Sequence, residues 1–260
     1  ARRTLRLRGR AVTDPYFQDD TVTLYHGKWQ ELIDPNLVGD IIIADPPYGE
    51  TKLNWDTWPK GWPALAATHA RSMWCWGSTR MFLAQASEFA DWKLSQDVIW
   101  EKNTGTSLAK DRFRRVHELA LHWYRGAWRD VYHETPTTSV GTARTMRRKA
   151  RPAHHQGARG SSTYASEDGG PRLMRSVMFA RNMQGRAINE TEKPVPVLEP
   201  LIQYACPPGG LVIDLFSGSS AALVAARRTG RRAIGFEMRE SQCEQAARRL
   251  SQGLLIGDMP

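Results

Sequence analysis

The sequence predicts an α/β fold in which a mostly parallel sheet is covered by helices on both faces and interrupted by an inserted lobe. Two observations support this prediction. Short apolar runs alternate with amphipathic segments along most of the chain, which is the pattern of strand–helix–strand units. That alternation stops over residues 127–186, where glycine, arginine, serine and threonine dominate. With 260 residues, the chain is long enough for one large domain that carries such an insertion.

Seven segments have the length and the apolar character of buried strands. They are TVTLYHG (21–27), DIIIAD (40–45), SMWCWG (72–77), QDVIWEK (96–102), HELALHWYRG (117–126), GLVIDLFSGSS (210–220), which ends in a tight turn, and RRAIGFE (231–237). Five segments with helical patterns should cover this sheet. They are ALAATHAR (64–71), RMFLAQASEFA (80–90), VPVLEPLIQYA (195–205), AALVAARRTG (221–230) and RESQCEQAARRL (239–250).

The net charge of +9 is concentrated in two segments. Residues 1–10 carry five arginines and no acid, residues 141–186 carry ten lysines and arginines against two acids, and the rest of the chain is net negative. Such a distribution is typical of a nucleic-acid surface on an ordinary domain. A solvated, mobile face is an equally good interpretation of the N-terminal arm. The longer segment favours nucleic acid, because its arginines are interleaved with histidine, tyrosine and glycine.

Cysteine and hydropathy patterns exclude several classes of protein. Cys75, Cys206 and Cys243 are a scattered set without a CxxC pair, which argues against a disulfide framework and against a thiolate zinc site. No uncharged apolar run approaches the roughly 18 residues of a membrane helix, and the N-terminus has no signal-like apolar core. The sequence therefore predicts a protein of the reducing cytoplasm with no membrane partner.

The segment IIIADPPYGE (41–50) is the first with chemical content. Three isoleucines and an alanine predict a strand that is buried on both faces. The strand stops at Asp45 and is followed by Pro46, Pro47 and Tyr48. A carboxylate, two residues without N–H donors and an aromatic ring are thus delivered to one corner of the sheet.

A second strand, in GLVIDLFSGSS, runs into a tight turn before a helix. In a doubly wound sheet this arrangement makes a nucleoside-binding corner, because small residues such as Ser217, Gly218 and Ser219 let the backbone approach a ligand closely. Roughly twenty residues later a further strand ends at Glu237, where a carboxylate can accept hydrogen bonds from ribose hydroxyls. The lack of GxGxxG and of GxxxxGK[ST] argues against NAD and against a nucleoside triphosphate.

Taken together, DPPY (45–48) and DLFSGSS (214–220) resemble the motifs of the DNA amino-methyltransferases that use S-adenosylmethionine. Their order resembles that of the β group of this family, in which the catalytic motif comes first, then a target-recognition lobe and then the cofactor motif. TEKPVPVLEPLI (191–202) resembles the lysine–proline motif of the family, and DVIWEK and HELALHWYRG resemble the weaker motifs that wall its base pocket. The resemblance spans about residues 20–250 and implies a Rossmann-like, seven-stranded methyltransferase sheet.

The resemblance also implies a role for each motif residue. The implied catalytic residues are Asp45, Pro46, Pro47 and Tyr48. The implied cofactor-binding residues are Asp45, Lys193, Pro194, Asp214, Phe216, Ser217, Gly218, Ser219, Ser220 and Glu237, with Lys193 and Pro194 closing over the methionine end of S-adenosylmethionine. The DNA-binding candidates in the basic segment are Arg144, Arg147, Arg148, Lys149, Arg151 and Arg159. No metal is required.

This chemistry explains the composition of the DPPY corner. An exocyclic amine on adenine or cytosine is a poor nucleophile, because its lone pair is delocalised into the ring. Hydrogen-bond acceptors on its two N–H bonds favour the pyramidal geometry that attacks a methyl group, and the Asp45 carboxylate and the Pro46 carbonyl can be these acceptors. The prolines stiffen the corner and remove competing donors. Tyr48 can stack on a base drawn out of the duplex.

Several features depart from this pattern or offer alternatives. The family usually has Gly-Asp after the first strand, where the carboxylate helps to hold the adenine of the cofactor, whereas this chain has Lys28, which cannot accept that bond. Trp29 is a candidate to stack on the adenine instead. HELALH lacks the HExxH spacing of a zinc site, and Ser217-Gly218-Ser219 is not the GxSxG of a hydrolase. The tryptophans of the loop 54–63 are candidates for DNA contact or for core packing.

The sequence therefore predicts a site-specific DNA methyltransferase that modifies the N6 amine of a flipped-out adenine in double-stranded DNA. The alternatives are a cytosine-N4 methyltransferase and a catalytically idle DNA-binding module, with RNA and protein methyltransferases less favoured. A second copy of the chain and a cognate restriction enzyme are candidate partners. The expected division is a basic arm (1–19), a catalytic half (20–126), an inserted target-recognition lobe (127–189) and a cofactor-binding half (190–260).

Overall fold

The computed structural model describes residues 14–105, 110–138, 141–148, 150, 160–181 and 192–255, except for the side chains of residues 148 and 253–255. These residues form two compact units. The larger unit comprises the described residues up to Glu134 and from Ser176 onward. The smaller unit is Thr135–Arg175.

Thirteen strands and six α-helices occur in the part of the chain that the structure describes. The strands are β1 (Phe17–Gln18), β2 (Val22–His26), β3 (Ile41–Ala44), β4 (Ser72–Gly77), β5 (Lys93–Glu101), β6 (His117–Tyr124), β7 (Thr137–Thr138), β8 (Arg144–Arg148), β9 (Ser162–Ser166), β10 (Arg172–Leu173), β11 (Val177–Phe179), β12 (Leu211–Asp214) and β13 (Arg232–Glu237). The helices are α1 (Trp29–Leu32), α2 (Trp62–Ala66), α3 (Thr79–Ala84), α4 (Val195–Ala205), α5 (Ala221–Arg228) and α6 (Glu240–Leu255).

The larger unit is built on one sheet with the strand order β1-β2-β13-β12-β3-β4-β6-β5-β11. Five of its eight strand pairs are parallel, which confirms the mostly parallel α/β sheet. The predicted number of seven strands is wrong, because the sheet has nine. The two additional strands, β1 and β11, lie at the edges and have two and three residues, which is too short for an apolar period to reveal them.

The central strands are buried on both faces. In β3, Ile41 and Ile43 pack into one hydrophobic cluster with the apolar faces of α4, α5 and α6, whereas Ile42 and Ala44 pack into a second cluster with α2 and α3. Successive side chains of a strand point to opposite faces, so a strand between two helical layers needs apolar residues at every position. This requirement explains the uninterrupted apolar run that precedes DPPY, and it confirms the helices on both faces.

The chain reverses its direction across the sheet between β12 and β3. From β3 it continues to β4 on one side, and from β12 it continues to β13 on the other, while β12 and β3 themselves pair in parallel with Asp214 opposite Ile43. The carboxyl ends of the two strands therefore flank a topological switch point, the place where open α/β sheets bind ligands.

Two predicted helices differ from the observed ones. Helix α2 begins at Trp62, inside the segment 54–63 that the sequence predicts to be a loop, because Gly61 adopts a left-handed conformation and Pro63 suits a first helical turn. The segment predicted as one helix over 80–90 is α3 followed by a 3₁₀ turn at Ala86–Phe89.

The smaller unit contains two antiparallel strand pairs. Strands β7 and β10 form one, and β8 and β9 form the other, in which Arg144 lies opposite Ser166 and Arg147 opposite Thr163. Polar contacts hold this unit: Asp168 accepts a hydrogen bond from the Ala143 N–H at 3.0 Å.

All three cysteines are buried and unpaired. Within the described ranges, no helix is long and apolar enough to cross a membrane, and no group of three or more histidine, cysteine or acidic residues is arranged to hold a metal ion.

Candidate active site

A cavity of about 620 Å³ opens at the switch point between β3 and β12. Nine of the predicted site residues line it: Asp45, Pro47, Lys193, Asp214, Phe216, Ser217, Gly218, Ser219 and Glu237. The other four lie close by in the chain. Pro46 is buried, Tyr48 contacts Asp45, and Pro194 and Ser220 are the residues that precede α4 and α5. The structure thus brings two motifs that are far apart in sequence to one cavity.

The Asp45 carboxylate has a partner on each oxygen. The Tyr48 hydroxyl donates to Oδ1 at 2.8 Å, and the Lys193 ammonium donates to Oδ2. The Asp45 side chain is 25% exposed to solvent. Burial raises the pKa of Asp45, and the Lys193 cation opposes that rise. The arrangement holds a carboxylate in one orientation at the edge of the cavity.

Lys193 connects Asp45 to a second carboxylate. Its ammonium lies 3.3 Å from Glu118 Oε2, and the other oxygen of Glu118 accepts from the Lys102 ammonium. The side chains of Glu118, Lys102 and Lys193 are only 15%, 13% and 5% exposed, so their charges compensate one another away from water. Sequence reasoning assigned HELALHWYRG to the pocket wall but did not single out Glu118. The available signal was that Glu118 is the single acid of this strand.

The turn after β12 surrounds a different carboxylate. Asp214 is buried, and its Oδ1 accepts a hydrogen bond from the Phe216 N–H at 3.2 Å. Burial raises the pKa of Asp214 to about 7. The turn is tight against β13: the Ser217 N–H donates to the Phe236 carbonyl at 2.9 Å, and a Cβ on Gly235 would lie 2.7 Å from the Ser217 hydroxyl. Gly235 is therefore a packing requirement of this corner.

Two residues of this turn have unusual backbone conformations. Gly218 has a φ of 49°, and Ser220 has a φ of 57°, which makes Ser220 the single residue other than glycine with a positive φ in the described chain. The hydroxyls of Ser217 and Ser220 lie 3.0 Å apart and hydrogen-bond each other. A left-handed serine costs free energy, which the surrounding turn must offset, and such outliers concentrate at ligand sites.

Glu237 links the ends of β12 and β13. One carboxylate oxygen accepts from the Gly218 N–H at 2.8 Å, and the other accepts from the Arg239 N–H at 2.8 Å. A carboxylate offers about four acceptor positions, so these bonds leave capacity for a ligand in the cavity that Glu237 lines. The Arg239 guanidinium also lies over the Trp55 ring, 5.2 Å from its centre.

Residues 28 and 29 also line the cavity. Lys28 makes a surface ion pair with Glu31 at 3.8 Å. Trp29 is 2% exposed and packs in the second hydrophobic cluster. In the tryptophan-rich loop, Trp58 and Trp62 are buried against Phe89, which makes them core residues, whereas Trp55 remains exposed.

The predicted DNA-binding residues are described only in part. Arg144 and Arg147 lie on β8 with exposed side chains, on opposite faces of the strand because they are three positions apart. Arg148 ends the strand, and its side chain is not described. Lys149, Arg151 and Arg159 lie outside the described residues, as does the N-terminal arm up to residue 13.

Two curated relatives place this architecture among known proteins. The chain is 42% identical over 67 residues to the putative methylase YubD of Escherichia coli K12, an alignment that covers 26% of this chain and 30% of YubD. It is 24% identical to the type II methyltransferase M2.LlaDCHI of Lactococcus lactis subsp. cremoris, over 96% of both chains.

Solved structures share the fold. The M1.HpyAVI–SAM complex has a TM-score of 0.62 at 21% identity and covers 88% of this chain and 98% of its own. The cytosine-N4-specific PvuII DNA methyltransferase has a TM-score of 0.60 at 15% identity, over 95% of this chain and 90% of its own. At these identities the likeness concerns the fold alone.

The family model described as DNA methylase, of the N6/N4 type, matches residues 39–248. That range contains both corners of the cavity and most of the sheet. The chain belongs to this family and is a DNA methyltransferase of the N6/N4 type, a class that uses S-adenosylmethionine.

Proposed function

We propose that this chain methylates the N6 amine of adenine in double-stranded DNA, on a base drawn out of the helix. The observation that carries the choice of base is the tetrad Asp45-Pro46-Pro47-Tyr48. DPPY is commoner among the adenine enzymes that the sequence resembles, and SPPY among the cytosine-N4 enzymes. The fold does not discriminate, since the similar PvuII enzyme is named as cytosine-N4-specific.

In the proposed reaction, Asp45 and Pro46 accept hydrogen bonds from the two N–H bonds of the amine. Tyr48 and Lys193 already fix the orientation of the Asp45 carboxylate, so little reorganisation is needed when the base arrives. Asp45 must be ionised to act in this way. The ring of Tyr48 is the proposed stacking surface for the flipped base.

The residues that line the cavity fit S-adenosylmethionine. The apolar and aromatic side chains of Leu198, Leu215 and Phe236 suit an adenine ring. The Glu237 carboxylate suits a ribose, and the Asp214 carboxyl group suits a cationic group. When bound, S-adenosylmethionine supplies an electrophilic methyl group. We assign the ribose hydroxyls to Glu237 and the methionine end to Lys193 and Pro194. The remaining cofactor contacts are assigned to Asp214, Phe216, Ser217, Gly218, Ser219 and Ser220.

We further propose that residues 127–189 contain the target-recognition lobe, with Thr135–Arg175 as its compact part, and that residues 1–19 contain a basic arm, of which Phe17–Gln18 already belong to the sheet. The proposed DNA contacts of this lobe are Arg144, Arg147, Arg148, Lys149, Arg151 and Arg159. We also propose a cognate restriction enzyme and a second copy of the chain as partners, and a cytoplasmic location; the name of the type II methyltransferase M2.LlaDCHI supports the first of these.

The role of the lobe can be measured through salt dependence. Neutralising Arg144 and Arg147 together, each to glutamine, should weaken binding to all DNA sequences, because each phosphate contact releases counterions. The log–log slope of the DNA-binding constant against salt should flatten by about one for each of the two arginines that contacts a phosphate. Single variants will show which face of β8 meets the phosphates.

The matched control neutralises Arg228 and Arg248, which are exposed and paired with acids in the larger unit. It makes the same change in net charge and should leave the slope within error. An unchanged slope in the Arg144 and Arg147 variants would remove β8 from the DNA interface.

The proposed base is tested by incubating the protein with unmethylated genomic DNA and S-adenosylmethionine, followed by enzymatic digestion and mass spectrometry of the nucleosides. N6-methyladenine is the expected product. N4-methylcytosine alone would overturn the choice of base, and the absence of any methylated base would favour the idle DNA-binding module.

A further inference from the structure

Four charged side chains form a continuous row that begins at the cavity wall. Asp45 contacts Lys193, Lys193 lies within 3.3 Å of Glu118, and Glu118 contacts Lys102. The signs alternate, so the four charges cancel. The residues come from three segments that are distant in sequence: the end of β3, the start of α4, and the adjacent ends of β5 and β6.

The row bears on how Asp45 can receive a substrate. Each of its oxygens already accepts one hydrogen bond, so an incoming amine must share Oδ2 with the Lys193 ammonium. A buried ammonium that leaves one carboxylate must find another, because an unpaired buried charge is strongly unfavourable. Glu118 Oε2 is the second carboxylate within reach, and it has no hydrogen bond in the described structure apart from this ionic contact.

Glu118 cannot act on the substrate directly. The residues that line the cavity include Lys193 and Asp45 but not Glu118, which lies behind them. Its contact with the catalytic corner therefore runs through Lys193, and its charge also acts on Asp45 through space.

We propose, provided that the proposed methyl transfer holds, that Glu118 is a positioning residue: it shares the Lys193 ammonium with Asp45 and so leaves an Asp45 oxygen available to the substrate amine. Lys102 keeps Glu118 ionised and fixed in place.

The simpler interpretation is that Glu118 only neutralises buried lysines and stabilises the fold. The two interpretations differ in the rate on the pH plateau: in a folded variant, loss of a residue that only stabilises the fold should leave this rate unchanged, whereas loss of a positioning residue should lower it. The charged and titratable groups that act on Asp45 are Lys193, Tyr48, Glu118, Cys75 and Asp214. Glu118 raises the pKa of Asp45, whereas Lys193 lowers it. Removal of Glu118 should thus move the acid limb of a pH–rate profile to lower pH, and removal of Lys193 should move it to higher pH.

The experiment measures single-turnover methyl transfer from tritiated S-adenosylmethionine to unmethylated genomic DNA across pH. In Glu118→Gln, the rate on the pH plateau should fall about tenfold through misplacement of Lys193, with cofactor and DNA binding nearly unchanged. Its acid limb should move to lower pH. In Lys193→Met, the acid limb should move to higher pH. The control Glu101→Gln, which removes an exposed carboxylate at the end of β5, should behave as wild type.

A double variant tests the path of the effect. If Glu118 acts through Lys193, then Glu118→Gln should change the plateau rate by less than about twofold once Lys193 is methionine, a non-additive result. Additive losses, or acid limbs that move in the same direction, would overturn the proposal.

Folding of each variant is checked by circular dichroism. If Glu118→Gln fails to fold, Glu118→Asp keeps the charge but shortens the reach to Lys193. The plateau rate should then fall while the acid limb stays in place, and a full wild-type rate in Glu118→Asp would overturn the proposal. A wild-type protein that transfers no methyl group would reject the proposed function instead.

Discussion

Asp45 and Asp214 end two neighbouring strands of one sheet, yet their surroundings differ. Asp45 has a cation and a hydroxyl as partners, whereas Asp214 accepts from the Phe216 backbone and has no ion pair in the described part of the chain. Burial raises the pKa of both, to about 7 for Asp214, while Lys193 opposes the rise at Asp45. The difference teaches that environment can divide two identical side chains between two tasks: the cation beside Asp45 favours its charged form, whereas burial without a cation disfavours the charged form of Asp214.

The largest expected effect separates the two corners by function. Asp45→Asn removes the anionic acceptor, so single-turnover methyl transfer should fall by at least about 10³-fold, a loss typical of a group that acts mainly in the transition state. Cofactor binding, measured by equilibrium dialysis, should change by no more than about 1–2 kcal/mol, that is, by roughly 5–30-fold at most. Lys193 keeps Glu118 as a partner, which should preserve folding.

The control is Asp40→Asn, an exposed carboxylate at the opposite end of the same strand. It should retain turnover. Near-normal turnover in Asp45→Asn would mean that the corner after β3 does not activate the amine.

The second-largest effect should be on cofactor binding, with a much smaller effect on turnover. Glu237→Gln removes charge from the cofactor corner, and hydrogen bonds to a charged group contribute about 1.5–3 kcal/mol. The dissociation constant for S-adenosylmethionine should therefore rise roughly 10–150-fold, while turnover at saturating cofactor changes much less. Isothermal titration calorimetry provides the measurement, with the exposed Glu240→Gln as the control. An unchanged affinity would place the ribose elsewhere.

The smallest effect is on stability and depends on pH. The folded-state pKa of Asp214 is raised from 3.8 to about 7, so the folded protein binds this proton more tightly than the unfolded chain. Its contribution to the free energy of unfolding falls as pH rises through that window and is fully lost above it. Asp214→Asn removes this loss, so the Tm of the variant relative to wild type should be higher at pH 8 than at pH 5.

The expected difference is a few degrees, since about 1 kcal/mol shifts the Tm of a chain of this size by roughly 2–4 °C. It should be measured without cofactor by differential scanning fluorimetry. Asp20→Asn, on the surface, should show no such trend. A Tm difference that is constant with pH would mean that Asp214 is ionised in the folded protein.

Much of this comparison was accessible from sequence. The all-apolar runs before Asp45 and Asp214 predict strands buried on both faces, and two such strands in an alternating chain must lie centrally in a parallel sheet. Their carboxyl ends then share one edge. The placement of both corners at one cavity follows from periodicity and from the motifs.

The partners of these residues were not accessible in the same way. Lys193 is 148 positions from Asp45, and the lysine–proline motif suggests a cofactor contact but not an ion pair with the catalytic carboxylate. Glu118 reaches Lys193 only because β6 runs antiparallel to β4 and brings its first residues to the active edge. The short strand β11 forms by pairing with β5, and this pairing cannot be predicted from a segment of three residues. Contacts of this kind arise from tertiary packing and leave no local period.

The pairing of Ile43 with Asp214 fixes the distance between the two corners of the cavity. Adjacent strands are held about 4.8 Å apart by a ladder of backbone hydrogen bonds, and both strands here are enclosed by packed side chains on each face. The spacing between the end of β3 and the end of β12 is therefore set by the backbone. Side-chain substitutions on the surface should not change it. The hydrogen-bond ladder sets the distance between the catalytic corner after β3 and the cofactor corner after β12. A change of target base would therefore have to come from reshaping the walls of the cavity.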